Sequence, residues 1–196
     1  MRKLALLVLF LATQAAYTLD SVPKAEYRER RVKLGAALHG GSALIFAAHE
    51  PPMEYQDYRQ DEDFYYLTGS TEPGGALLII GDGPATTTRL GAISPQAYRE
   101  ILFLPMRDRI HEKYTGAKMD AATPGVTQTL GVSEVMSLAS LPSVYGAFLA
   151  QNPDRTKTVW TQQDVVSAGA TLRFTFAVLG TDEVEPTHDV RSLTTR

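Results

Sequence analysis

Apolar and polar positions follow two different periods along this chain. Over 23–39, Tyr27, Leu34 and Leu38 fall on one helical stripe, while Arg28, Glu29, Arg30 and Lys33 lie outside it. That spacing predicts a helix, with Pro23 suited to its first turn and Gly40-Gly41 closing it. The runs 42–47, 77–80 and 101–104 are short and continuously apolar, the pattern of strands covered on both faces. Segments 158–160 and 172–179 predict further strands, and 140–151 a helix with Pro142 near its start. The stretch 81–95, rich in Gly, Thr and Pro, reads as a hairpin or exposed loop, and 181–196 as a polar tail. Buried strands separated by helical segments predict an α/β layered sheet rather than a β-sandwich. No repeat or linker divides the pattern.

Composition narrows the function classes. A chain of 196 residues suits one domain with a real core. Its 19 Lys and Arg against 22 Asp and Glu leave no basic footprint for nucleic acid. With no Cys, disulfides, thiolate metal sites and a thiol nucleophile are excluded. Arg2 and Lys3 precede an apolar run over 4–12, and Ala15 and Ala16 follow it, the order of a secretory signal peptide. Residues 1–16 are therefore set aside and 17–196 read as the folded domain, exported to the periplasm or beyond. The apolar run is shorter than the roughly 20 residues needed to span a bilayer, so no membrane association is expected once it is removed.

Candidate chemistry is sparse. His39, His49, His111 and His188 show no metal-binding spacing, and no metal ligands are assigned. No catalytic residue is assigned either, because no nucleophile elbow, Walker loop or dinucleotide fingerprint occurs. Asp57, Asp61, Glu62 and Asp63 form the densest acidic cluster, read as capping and ion pairing around a turn. The run Phe64-Tyr65-Tyr66-Leu67 beside it is expected to form a strand. Phe64 and Tyr66 would then face one side and Tyr65 and Leu67 the other, one face entering the core and the other offering a Tyr hydroxyl to a ligand or partner.

The string Tyr58-Arg59-Gln60-Asp61-Glu62-Asp63-Phe64-Tyr65-Tyr66-Leu67-Thr68-Gly69, followed by Glu72-Pro73, closely resembles the hallmark of the N-terminal domain of the aminopeptidase P (Xaa-Pro aminopeptidase) family. Further matches occur in the family's order. Arg28 to Arg31 with Leu34 resembles its first helix, and Ser42 to Ala48 its first strand. Phe103-Leu104-Pro105-Met106-Arg107-Asp108 with Glu112 and Gly116 resembles the next motif. Leu130-Gly131-Val132 with Glu134-Val135, and then Asp189-Val190-Arg191, complete the series.

The resemblance implies a mixed sheet flanked by helices, similar to a ribonuclease H-like fold of the creatinase and aminopeptidase P N-terminal type. It also implies a second, "pita-bread" domain beyond this chain, carrying two divalent metals, usually Mn²⁺, so that this domain binds no cofactor itself. In such a family the N-terminal domain roofs the active-site mouth and packs between subunits, and the enzymes release an N-terminal residue that precedes proline. The partners implied are that catalytic domain, further copies in a homo-oligomer, and peptide substrate only when the catalytic domain is present. Tyr114 stands where the family usually has a Trp that reaches toward a neighbouring subunit's site. Tyr114, Tyr65 and Tyr66 are the candidate substrate-side or subunit contacts, and Arg59, Asp61, Asp63, Gly69, Glu72 and Pro73 the structural motif. Arg59 is expected to pair with Asp61 or Asp63 in a partly buried network, so Arg59→Ala should lower thermal stability more than Arg109→Ala. The reading is a cap and assembly domain of a metallopeptidase, not catalytic alone; the alternative is a stand-alone binding or assembly module derived from it.

Overall fold

The structure is a computed structural model that describes residues 22–51, 57–81, 99–151, 159–162, 172–176, 180–184 and 188–189. The signal-like segment, most of 81–95, and Val190 and Arg191 lie outside the described residues.

Helix α1, Lys24–Ala37, buries Tyr27, Arg31, Leu34 and Gly35. Pro23 is its N-cap rather than its first helical residue. The chain then turns through His39 and Gly40, both at positive φ, and enters β1, Ser42–Phe46. The expected strand at 64–67 is instead part of α2, Glu62–Thr68. Its signals are local. The Asp61 carboxylate caps the start by accepting from the Phe64 amide, Glu62 and Asp63 occupy the first turn, and Gly69 closes the helix at φ 65°. Helical spacing puts Phe64, Leu67 and Thr68 on one buried face, where a strand would have split Phe64 from Leu67.

Strands β2, Ala76–Ile80, and β3, Arg99–Leu104, follow. Two short helices, α3 (Glu112–Thr115) and α4 (Val126–Leu130), lead to β4, Val135–Ser137, which apolar patterning did not reveal. Helix α5, Leu141–Gln151, precedes β5, Val159–Thr161. The remaining strands are β6, Leu172–Phe176, β7, Gly180–Val184, and β8, His188–Asp189; the last two lie in or at the edge of the stretch read as a polar tail.

Six strands form one sheet in the order β4-β3-β2-β1-β5-β8. β1, β2 and β3 make an antiparallel meander, and β5 and β8 continue from β1 in parallel. This is the mixed, ribonuclease H-like sheet expected, with β4 added parallel to β3 at the far edge. β6 and β7 form a separate antiparallel pair. Alternation along the strands divides two cores. Ala43, Ile45, Leu77, Ile79, Leu102 and Leu104 pack against α1, α2 and α4. Leu44, Ala76, Leu78, Ile101, Phe103 and Val159 pack against Leu141, Tyr145, Phe148 and Leu149 of α5.

Polar groups inside this frame are satisfied. Arg31 donates from Nε to Glu100 Oε2 at 2.5 Å and from its two terminal nitrogens to the Leu67 and Gly131 carbonyls at 2.8 and 2.7 Å. The other Glu100 oxygen accepts from the Ser133 amide and hydroxyl at 2.9 and 2.8 Å. Both charged side chains are essentially inaccessible to solvent. One buried ion pair therefore ties α1, the end of α2, β3 and the segment after α4 together. Beyond the short β5, the Gln162 side chain takes over the ladder, accepting from the Phe46 amide at 3.0 Å and donating to its carbonyl.

Candidate functional site

The turn after α2 is built from its own polar groups. The Ser70 hydroxyl accepts from the Glu72 amide, and the Gln60 side chain donates to the Ser70 and Glu72 carbonyls. The Gly74 amide donates to Ala48 O at 2.8 Å, which joins this turn to the end of β1. Glu72 and Pro73 are thereby fixed at the wall of an open cleft of about 330 Å³. The opposite wall is the segment from Pro105 to Met119.

That segment holds its shape through charge-assisted bonds. Arg107 grips both oxygens of Glu112 at 2.6 Å, and Asp108 Oδ1 accepts from the Ile110 and His111 amides. Glu50, at the end of the β1 side, accepts from Lys118 Nζ at 2.6 Å and lies 3.5 Å from His111 Nε2. The Arg107 hydrogen bond holds the Glu112 carboxyl below the usual range, and a bond from Thr123 does the same for Asp120. Glu72 behaves oppositely. Burial pushes its carboxyl upward, opposed by the Met119 amide and by Lys118. Burial also pushes the Tyr58 hydroxyl up to about 12.

The named candidates divide among three places. Tyr65 and Tyr66, each nearly half exposed on α2, face α1: Tyr65 meets the Tyr27 ring edge-on and Tyr66 lies 4.3 Å from the Arg30 guanidinium. Tyr114 stands on α3, 79% exposed, near Met106 at 84% and Ile110 at 73%. Glu72 and Pro73 line the cleft, while Asp61 caps α2, Asp63 lies in its first turn and Gly69 ends it.

The predicted Arg59 network is corrected. Arg59 pairs with Glu62, not with Asp61 or Asp63, at 2.7 Å, and the two side chains are 83% and 69% exposed. Asp61 is occupied by its capping bond and by Gln162 Nε2. Exposed pairs of this kind contribute little. Arg59→Ala and Arg109→Ala should each change stability by less than about 0.5 kcal/mol, measured by urea denaturation; a clear excess loss for Arg59→Ala would restore the buried role. Sequence reasoning also passed over Glu50 and Lys118. Their signal was a His49-Glu50 pair placed directly after an apolar strand, where loops carry polar function.

Comparison with known proteins now decides the family. Residues 27–160 match the family described as aminopeptidase P, N-terminal domain. The chain belongs to that family.

Among curated aminopeptidase P relatives, the Xaa-Pro aminopeptidase of Haemophilus influenzae is 30% identical over 127 residues, covering 63% of this chain and 26% of that protein. The Xaa-Pro aminopeptidase of Escherichia coli K12 is 32% identical over 126 residues, covering 60% and 26%. The solved structure of proline aminopeptidase P II from Yersinia pestis superposes with a TM-score of 0.53 at 25% identity, covering 72% of this chain and 30% of that one. The chain thus spans about a quarter of the length of the curated relatives it matches. Among the described residues no three His, Asp or Glu side chains converge as a metal-ligand set. The described part of this aminopeptidase P domain therefore does not fit the metal that the resemblance associates with the family. Nor is any helix among the described residues long and apolar enough to cross a membrane.

Proposed function

We propose that this chain is the N-terminal cap and assembly part of an Xaa-Pro aminopeptidase, whose bond cleavage takes place on a separate, metal-bearing catalytic domain. The observation that carries this reading is the α3 platform. Met106, Ile110 and Tyr114 all stand mostly in solvent within one short segment. Large apolar side chains grouped this way mark a surface built for contact. The segment is also held in shape without a partner, by the Arg107–Glu112 fork and the Asp108 turn, so little ordering entropy opposes docking. Tyr114 offers a rigid ring with a hydroxyl, suited to the rim of a peptide-binding mouth.

The test mixes the full chain with a catalytic domain from the same family and follows hydrolysis of an Xaa-Pro peptide with Mn²⁺. The expected result is no turnover by the chain alone, co-elution with the catalytic domain and altered turnover on mixing. Tyr114→Ala should weaken that effect about tenfold or more without lowering the melting temperature, since the side chain is 79% exposed. Turnover by the chain alone, or no co-elution and no effect on mixing, would overturn the reading.

A further inference from the structure

The cleft between the Glu72 turn and the Pro105–Met119 segment has an unbalanced charge. Each of its other acids is already engaged. Glu112 is held by Arg107, Glu50 by Lys118 with His111 beside it, and Asp108 by two amides of its own turn. Glu72 has no ion pair and no side-chain hydrogen bond that meets normal geometry among the described residues, the Met119 amide and Lys118 acting on it only at longer range. Yet it is half-buried and its backbone is fixed on both sides, by Ser70 and by Gln60. The walls beside it, Pro73, Pro105, Met106 and Met119, are apolar. A half-buried carboxylate beside apolar walls matches a long aliphatic stem ending in a cation, whose stem packs while its head pairs. The volume of about 330 Å³ lies at the small end of ligand cavities and suits one such side chain rather than a large cofactor.

We infer that this cleft is a binding site for a cationic nitrogen of a polypeptide, an ammonium or guanidinium group, with Glu72 as its counter-ion. The inference does not rest on the cap reading. The same chemistry has two sources, a Lys or Arg side chain or a free peptide amino terminus.

Binding to the full chain is followed by amide NMR shifts and calorimetry. The probes are N-acetyl-lysine N-methylamide, N-acetyl-arginine N-methylamide, glycylglycine amide and the neutral N-acetyl-norleucine N-methylamide. Saturable binding of cationic probes is expected, with shifts at the Met119 and Gly74 amides, and none by norleucine. The lysine and arginine probes binding alone identifies a side chain as the ligand; the dipeptide amide binding as well identifies the amino terminus. Glu72→Gln keeps the side chain's shape without its charge and should weaken binding roughly tenfold or more, while Glu62→Gln, on exposed α2, should leave it unchanged. Equal binding by the neutral probe, unchanged affinity in Glu72→Gln, or no saturation by any cation would overturn the site.

A stability measurement adds an independent check. Because the fold raises the Glu72 pKa, the native state holds that proton more tightly than the unfolded chain. The charged form therefore destabilises the empty domain as pH rises from the ordinary carboxylate range through the raised value. Lys118 opposes this effect and Glu112 and Glu50 reinforce it; His49, on the β1 side, and Arg107, Asp108 and His111, on the opposite wall, face the same space. Glu72→Gln should thus melt higher than the parent at neutral pH, and the gap should close in acid. A lower melting temperature at neutral pH would show that Glu72 has a cation already and would overturn the proposal.

Discussion

Glu100→Ala should cost about 3–5 kcal/mol of folding stability, a large share of the roughly 5–15 kcal/mol available to a domain. The reason is asymmetric. The substitution removes one charge of a fully buried pair and leaves Arg31 in place, with its Nε and the Ser133 amide deprived of their acceptor. Two bonds to the Leu67 and Gly131 carbonyls remain, but neither neutralises the guanidinium. A buried cation without a counter-charge is the expensive product. Breaking the exposed Glu26–Arg30 pair on the same helix should cost less than about 0.5 kcal/mol. Replacing both buried partners, as Arg31→Met with Glu100→Leu, should cost less than the sum of the two single losses, because no charge is stranded. Guanidinium denaturation of Glu100→Ala, Glu26→Ala, the double variant and its two single parents checks all of this. A Glu100→Ala loss near that of Glu26→Ala would show that water reaches the pair.

The second large effect lies at Gly69. The residue ends α2 at φ 65°, and a Cβ built there falls inside van der Waals contact of the Tyr27 ring. Tyr27 cannot easily retreat, because it is buried on α1 with Tyr65 edge-on and Arg30 over its face. Gly69→Ala should therefore cost about 1–2 kcal/mol for the left-handed backbone and about 1–3 kcal/mol more for overpacking. Gly74 separates these terms. It has a similar φ of 68°, yet an added Cβ meets only the His49 ring at 3.8 Å and Pro105 at 4.0 Å. Gly74→Ala should show the backbone cost alone. Thermal melts of the two variants that coincide would remove the steric part of the argument.

The sequence carried the sheet more clearly than the parts around it. β1, β2 and β3 are legible because both sheet faces are covered, so every position is apolar and the runs stand out. β4 and β8 are not, because edge strands of two or three residues carry too few side chains to make a pattern. The α2 segment reads as a strand through its aromatic content, yet it is helical. Tyr65 and Tyr66 favour strands intrinsically, but the Asp61 cap and the Gly69 terminus settled the local choice.

Arg31 shows how a buried charge can be found beforehand. It lies four residues after Tyr27 and three before Leu34, inside the apolar stripe rather than beside it. Glu100 shares the face of Leu102 and Leu104 on β3. Two opposite charges at positions the pattern reserves for the core predict each other. The cleft was less legible because its residues come from β1's end, the turn after α2 and α3, which only the fold brings together.

The Arg31 junction also sets a timetable for the chain as it leaves the ribosome. Gly131, whose carbonyl receives one arginine nitrogen, lies 100 residues downstream. At about 5–20 residues per second, α1 waits on the order of 5–20 s for the last piece of its socket. The Leu67 carbonyl and the Glu100 counter-charge emerge earlier, 36 and 69 residues after Arg31, so the socket is completed from the near side of the chain to the far side.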